Sequence, residues 1–139
     1  MNTKRIWLGA LAGWFGFAVW DFANAMIFHL PDRYAAAQAA GVFLKESRYP
    51  LFALHWEVGL LLCAVVCAWA YAWSRKTMGP GLGSALKLGA MIGFVAGFPL
   101  NLAQEAWTTG DRWMPFAWML DMWVGCIIAT VVAGWVYKD

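Results

Sequence analysis

The sequence predicts an all-α, polytopic membrane protein: a four-transmembrane-helix bundle with a short interfacial helix on its outer side. Four apolar stretches carry the prediction, at about residues 6–28, 50–73, 84–106 and 114–137. Each reaches the ~20 residues needed to cross ~30 Å of hydrocarbon. Composition agrees: 63% of residues are hydrophobic and 13% charged, against roughly 45–50% and about 25% in soluble domains. The surplus apolar surface has to meet lipid. Spans of this kind must be helical, because each segment satisfies its own backbone hydrogen bonds. At 139 residues the chain forms a single membrane domain, 1–139.

The first stretch has features of a signal peptide. Lys4 and Arg5 precede an apolar run, and Ala23-Asn24-Ala25 has the small-residue character of a cleavage site. Trp7, Trp14 and Trp20, with apolar sequence continuing to Phe28, favour a retained span. The outer loop, about 30–49, is long enough for structure of its own. Asp32 to Ser47 sets Tyr34, Val42, Phe43 and Leu44 against charged residues, which predicts a short helix along the interface, bracketed by Pro31 and Pro50. It either caps the bundle or serves as a linker.

The second span contains Cys63 and Cys67, one helical turn apart, and Cys126 lies in the fourth. Three cysteines inside apolar stretches read as small packing residues rather than disulfides or metal ligands. His55, Gly59, Cys63 and Cys67 form a small-residue ridge suited to a helix–helix contact. A Gly- and Pro-rich turn at 75–83 leads to the third span, where Gly89, Gly93 and Gly97 recur every four residues. That spacing lets a neighbouring helix approach closely. Asn101 and Glu105 continue the row, and Pro99 is expected to kink it. A tight turn at 107–113 around Gly110 introduces the fourth span, whose Asp121 shares a row with Gly125 and Ala129.

Four crossings put both termini on one side. That side holds Lys4, Arg5, Arg75, Lys76, Lys87 and Lys138, the other Arg33, Lys45, Arg48 and Arg112. The basic excess assigns the termini to the cytoplasm of a bacterial inner membrane. Aromatic residues mark both interfaces: Tyr34, Tyr49, Trp107 and Trp113 outside, and Trp7, Tyr71, Trp73, Trp135 and Tyr137 inside.

Each span also carries an acid: Asp21, Glu57, Glu105 and Asp121. Asp21, Glu57 and Asp121 each lie seven residues from the outer end of their span, roughly 10 Å deep at about 1.5 Å per residue. Asn24, His55, Asn101 and Gln104 fall at similar or shallower levels. The outer half is thus expected to hold one polar layer, with Asp21, Glu105 and Asp121 supplying charge, Asn24, Asn101 and Gln104 orienting it, and His55 and Glu57 assisting. His55 and Glu57 are two residues apart and cannot both face the centre, since they diverge by about 200°. Intramembrane acids mark ion or substrate sites by default, although small bundles also use polar residues to fix register. Protonation, bonds from Asn or Trp N–H groups, pairing with His29, His55, Arg33, Arg48 or Arg112, or a bound cation would each make the acids tolerable.

Other chemistry finds little support. A net charge of +2 without any Lys/Arg run argues against nucleic acid. His29 and His55 differ in depth, which disfavours shared haem ligation. The Glu-x-x-His pair of di-iron bundles is absent. Met26, Met114, Met119 and Met122 read as core or lipid-facing rather than as a soft metal site. No nucleophile triad, phosphate-binding glycine loop or CxxC pair occurs, so an enzyme is the least supported class, and the sequence assigns neither metal nor cofactor.

Residues Gly81 to Gly97, GLGSALKLGAMIGFVAG, are followed by FPLNL and later by PFAWMLDMWVGCIIATVVAGWVYK. This half of the chain resembles small bacterial four-helix integral membrane proteins of unassigned function. The resemblance implies architecture rather than activity. The Trp content is similar to that of tryptophan-rich sensory proteins, whose five spans and different aromatic pattern set them apart.

Two functions follow as expectations. One is a small binding or transport protein taking a proton, metal ion or small cationic ligand in the polar layer, a transport path then requiring a homodimer. The other is a non-catalytic accessory subunit of a larger membrane complex. A cavity reaching Asp21 and Asp121 is expected of the first, and closed, directly bonded carboxyls of the second.

Overall fold

A computed structural model describes residues 2–137. It contains helices α1 (Thr3–Ile27), α2 (Leu30–Ala39), α3 (Phe52–Met78), α4 (Leu82–Trp107) and α5 (Trp113–Val136). All but α2 are long and apolar enough to cross a membrane, and no strand occurs among the described residues. The chain is an all-α, four-helix membrane bundle with one additional short helix. Asn2, Tyr137 and the α3–α4 turn lie at one end of the bundle, called here the terminal end; α2 and the α4–α5 turn lie at the other. Lys138, which the basic-residue count includes, lies outside the described residues.

Helix α5 is the hub. Within the most apolar window of each long helix, 44% of α5 is buried, against 22–28% for the other three. Its central place follows from backbone contact on two sides. On one side Gly89, Gly93 and Gly97 lie against α5: an added Cβ at Gly93 would sit 2.7 Å from the Trp123 carbonyl oxygen, and one at Gly97 2.9 Å from that of Met119. On the other, a Cβ at Gly13 of α1 would come 2.7 Å from the Ala129 carbonyl oxygen, while Gly9 faces Ala133. The Phe17 ring fills the space above Gly125 and is fully buried. The α4 glycine row was expected to pack in this way; the α1 row and the Phe17–Gly125 contact were not anticipated.

Helix α3 joins the bundle mainly through its terminal half. Leu60, Ala64, Cys67, Ala68, Tyr71 and Ala72 are buried, whereas Phe52, Ala53, Leu54 and His55 are exposed. Near the terminal end α3 and α4 share a core, with Ala85 and Leu88 packed among Ala68, Tyr71 and Ala72. Toward the α2 end they separate and form facing walls of one cavity.

Several expectations about connections need correcting. The interfacial helix does not run from Asp32 to Ser47. Pro31 sits at its first turn and Ala39 ends it, because Gly41 takes a left-handed φ of 74° and the Val42 and Phe43 N–H groups both turn back onto the Ala37 carbonyl. Proline belongs at a helix start, where its missing N–H leaves nothing unpaired, so Pro31 opens the helix rather than fencing it off. The 75–83 turn is shorter than expected. Helix α3 runs on to Met78, and Gly79 and Gly81 make the reversal at φ 81° and 121°, open to glycine and strained for other residues.

Two of the expected interfacial tyrosines are core residues. Tyr71 and Tyr137 are 2% and 7% exposed, and their hydroxyls accept hydrogen bonds from Gly81 N–H at 3.1 Å and Asn2 N–H at 3.2 Å. Trp7, Trp73, Trp107 and Trp135 do lie exposed near helix ends, as an aromatic belt requires.

Candidate functional site

A cavity of about 1020 Å³ occupies the α2 end of the bundle. Helix α1 contributes Asp21 and Asn24 to its wall, and α5 contributes Trp118, Asp121 and Met122. Trp56 and Glu57 of α3 face Ala96 and Asn101 of α4. Helix α2 and the segment after it cover the space with Tyr34, Gln38, Phe43 and Leu44, and Glu46 and Ser47 stand at the same end. The cavity exists because the glycine contacts hold α1, α4 and α5 together while α3 departs, and α2 spans the opening.

Asp21, Asn24, Glu57, Asn101 and Asp121, proposed from their registers, all line this one cavity. His55, Gln104 and Glu105 do not. His55 is exposed on the far side of α3, with Nδ1 3.1 Å from the Leu51 carbonyl and its ring beside Tyr49. The i,i+2 geometry is resolved with Glu57 facing inward and His55 outward. The expected ridge breaks for the same reason: nothing lies within 4 Å of a Cβ built on Gly59, so it is packed only at Cys63 and Cys67. Gln104 and Glu105 are half-buried in the last turns of α4, beyond the wall.

Indole N–H groups orient two of the acids. Trp56 Nε1 donates to Asp21 Oδ1 at 3.2 Å, and Trp14 Nε1 donates to Glu57 Oε2 at 3.1 Å. Asn24 donates through Nδ2 to the Ala117 carbonyl at 3.1 Å, and Asn101 donates to the Gly97 carbonyl at 2.7 Å. Asp121 differs from the other acids. It is 1% exposed, and neither carboxyl oxygen has a hydrogen-bond donor. The neighbour within hydrogen-bonding reach is Asp21, itself an acceptor. Two facing carboxylates need a positive charge between them, as a shared proton or a bound cation. The buried Asn24 Oδ1 is likewise unpaired.

Among the described residues no protein cation lines the cavity to meet this need. The wall contains Asp21, Glu46, Glu57 and Asp121 but no Lys, Arg or His. Arg33, one of the arginines expected to reach inward, is held at the rim. Its Nε donates to the Phe28 carbonyl at 2.7 Å, and its Nη1 pairs with Asp111, which ties α2 to the α4–α5 turn. Among the described residues no group of three or more His, Cys, Asp or Glu side chains is placed to hold a metal ion.

The remaining wall is aromatic. Trp118 Nε1 donates to the Tyr34 hydroxyl at 2.8 Å, and the Tyr34 and Phe43 rings lie 6.3 and 6.5 Å from Trp118 at shallow interplanar angles of 23° and 11°. Burial pushes the Tyr34 phenol above its ordinary range, and the nearby Asp21 and Asp121 charges add to this against the opposing Trp118 bond. The hydroxyl therefore stays neutral. Tyr34 had been read as an interfacial belt residue and Phe43 as an apolar residue of the interfacial helix, while Trp56 and Trp118 gave no separate signal. Their roles depend on where the loop folds, which periodicity does not encode.

The Arg33–Asp111 tie carries a pH prediction. Burial works to raise the Asp111 carboxyl, but the Trp113 N–H and the Arg33 guanidinium, by hydrogen bond and charge, outweigh it and hold Asp111 below the usual carboxylate range. A depressed folded-state value gives stabilisation that is fully present above the unfolded value of ~3.9 and is lost as pH falls through the lower folded one. Proteolysis of segment 40–51 should accelerate below that range. Asp111→Asn should show the faster rate already at neutral pH and flatten the profile; an unchanged profile would remove the tie from the account.

Comparisons with protein-family models, with curated proteins and with solved structures return no match. Function is therefore read from the cavity's own chemistry.

Proposed function

We propose that this small integral membrane protein binds a positively charged ligand in the cavity between α1, α3, α4 and α5, with the cavity opening toward the outer face of a bacterial inner membrane and both termini in the cytoplasm. One observation carries the reading: a buried carboxylate, Asp121, without a hydrogen-bond donor, in a wall with four acids and no base. Facing acids in a buried site are met either by a shared proton or by a cation, and a cation that takes the proton's place satisfies both carboxylates at once. Asp21 and Asp121 hold the charge, Glu57 adds to the field, and Trp56 and Trp14 fix the carboxylates in place.

The accessory-subunit reading calls for carboxyls closed off and directly bonded. Asp121 is 1% exposed and Asp21 and Glu57 accept indole hydrogen bonds, as that reading expects; it also expects no cavity, and the cavity of about 1020 Å³ that these residues line is what favours binding. Movement of the ligand across the membrane would require a path through the terminal half, where Tyr71, Ala72 and Ala85 pack closely. In this reading, a second copy of the chain provides it.

The test is the sign of charge that the cavity attracts. Ala53 and Ala96 line it and are solvent-exposed. Ala53→Cys and Ala96→Cys, measured over the background of the native cysteines, should react at least about tenfold faster with a cationic than with an anionic methanethiosulfonate reagent, as an acidic cleft concentrates cations. Equal rates for the two reagents would sink the reading.

A further inference from the structure

Resting on that reading, we infer that the ligand is an organic cation bearing N–H groups on an apolar body, a protonated amine or guanidinium, rather than a bare metal ion. Three features of the wall lead there together.

The first is which hydrogen-bonding groups remain free. The wall's nitrogen donors and Ser47 are already engaged: Trp118 on the Tyr34 hydroxyl, Trp56 on Asp21, Asn24 on the Ala117 carbonyl, Asn101 on the Gly97 carbonyl, Gln38 on the Leu44 and Lys45 carbonyls, and Ser47 on the Tyr49 carbonyl. Among the residues lining the cavity, the buried atoms left unpaired are acceptors, Asn24 Oδ1 and both Asp121 oxygens. A ligand that completes the site must therefore donate. Buried polar groups in folded proteins are nearly always paired, and an ammonium brings up to three N–H bonds to such acceptors.

The second is size. About 1020 Å³ lies at the upper end of the ~300–1,000 Å³ range of small-molecule pockets and far exceeds a dehydrated ion. The carboxylates are also not grouped as a three-ligand metal shell among the described residues. Inner-sphere capture of Mg²⁺ or Ca²⁺ would leave most of the space unfilled.

The third is the surface facing the acids. Trp118, Tyr34 and Phe43 form a stacked aromatic face, and Phe52 lies beside Trp56. Aromatic faces attract cations through their quadrupole and cover the apolar part of the same ligand. An acidic end with unpaired acceptors and an aromatic wall is the complement of an aryl- or alkylammonium ion.

Full-length protein in lipid nanodiscs, titrated calorimetrically with 2-phenylethylammonium, its N,N,N-trimethyl derivative, 2-phenylethanol, K⁺ and Mg²⁺, decides the matter. The primary ammonium should bind at least about 30-fold tighter than the neutral alcohol, the range for one buried charge pair. It should bind about tenfold or more tighter than the quaternary ion, which cannot donate. Trp118→Leu should weaken it by about 2- to 30-fold. If that variant does not fold, the wild-type selectivity order decides alone. Binding of K⁺ or Mg²⁺ without the organic ions would overturn this inference and leave the cation-site reading standing. Parity between the primary and quaternary ions would also overturn it. Equal binding of the alcohol and the ammonium, or no binding of any probe, would remove the cation site as well.

Discussion

Replacing Asp121 with Asn is expected to lower affinity for a primary ammonium probe by at least about 30-fold while the protein remains folded. Truncating one partner of a buried charge pair costs ~2–5 kcal/mol, and each ~1.4 kcal/mol is tenfold in affinity. Asn is the informative replacement because it keeps the shape. Its amide can also donate to the Asp21 carboxylate, which Asp121 does only when a proton is shared between the two acids. Stability should therefore hold or rise, since the requirement for a proton or cation between the two acids has gone. Two companion variants set the scale. Glu46→Gln, at the exposed edge of the cavity, should change affinity by less than about threefold, because solvent and salt screen it. Glu105→Gln, outside the wall, should change nothing. Calorimetry on the three variants and a thermal melt of each check the set. Native affinity in Asp121→Asn would show that the unpaired carboxylate is not the anchor.

What the sequence made legible divides along physical lines. The spans were readable because hydrocarbon thickness sets a length that the chain either meets or does not. Convergence of Asp21, Glu57 and Asp121 was readable because each sits seven residues from a span end, and equal counts on straight helices give equal heights. Azimuth was harder. Glu105 was read inward by extending the Gly89–Gly97 row, but that row ends at Asn101 in the cavity and the last turns of α4 rise past the wall. Conversely, Gly9 and Gly13 carry the same four-residue spacing as the α4 row and could have been found, while the Phe17–Gly125 fit could not, because it depends on the relative phase of two helices. The roof was beyond reach. Whether Phe43 covers a cavity or lies on a membrane depends on where α2 stops, and a Gly41 in the left-handed region decides that within one residue. Indole N–H groups were expected as one partner for the acids, but which indoles serve, Trp14 for Glu57 and Trp56 for Asp21, depends on the relative phase of α1 and α3.

The second large effect falls on the helix contacts that create the site. Gly93→Ala places a methyl group 2.7 Å from the Trp123 carbonyl oxygen and 2.8 Å from its Cα, and backbone atoms cannot swing aside as a flexible side-chain tip can. Gly125→Ala drives a methyl into the Phe17 ring, which is 0% exposed and has no free space to turn into. Each replacement should destabilise the bundle by ~1–3 kcal/mol through overpacking, after the ~1 kcal/mol that alanine gains over glycine in a helix is offset. The control is Gly59→Ala on α3, where a Cβ meets nothing within 4 Å. That variant should be neutral or stabilised by up to ~1 kcal/mol. Reversible unfolding in mixed detergent micelles measures all three, and equal effects at Gly59 and Gly93 would mean that close approach of α4 to α5 does not hold the fold. The same experiment reaches the site. Gly97 and Asn101 continue the Gly93 face, so pushing α4 off α5 moves Asn101 away from Asp121. Gly93→Ala should therefore weaken ammonium binding as well as stability, although no atom of residue 93 lines the cavity.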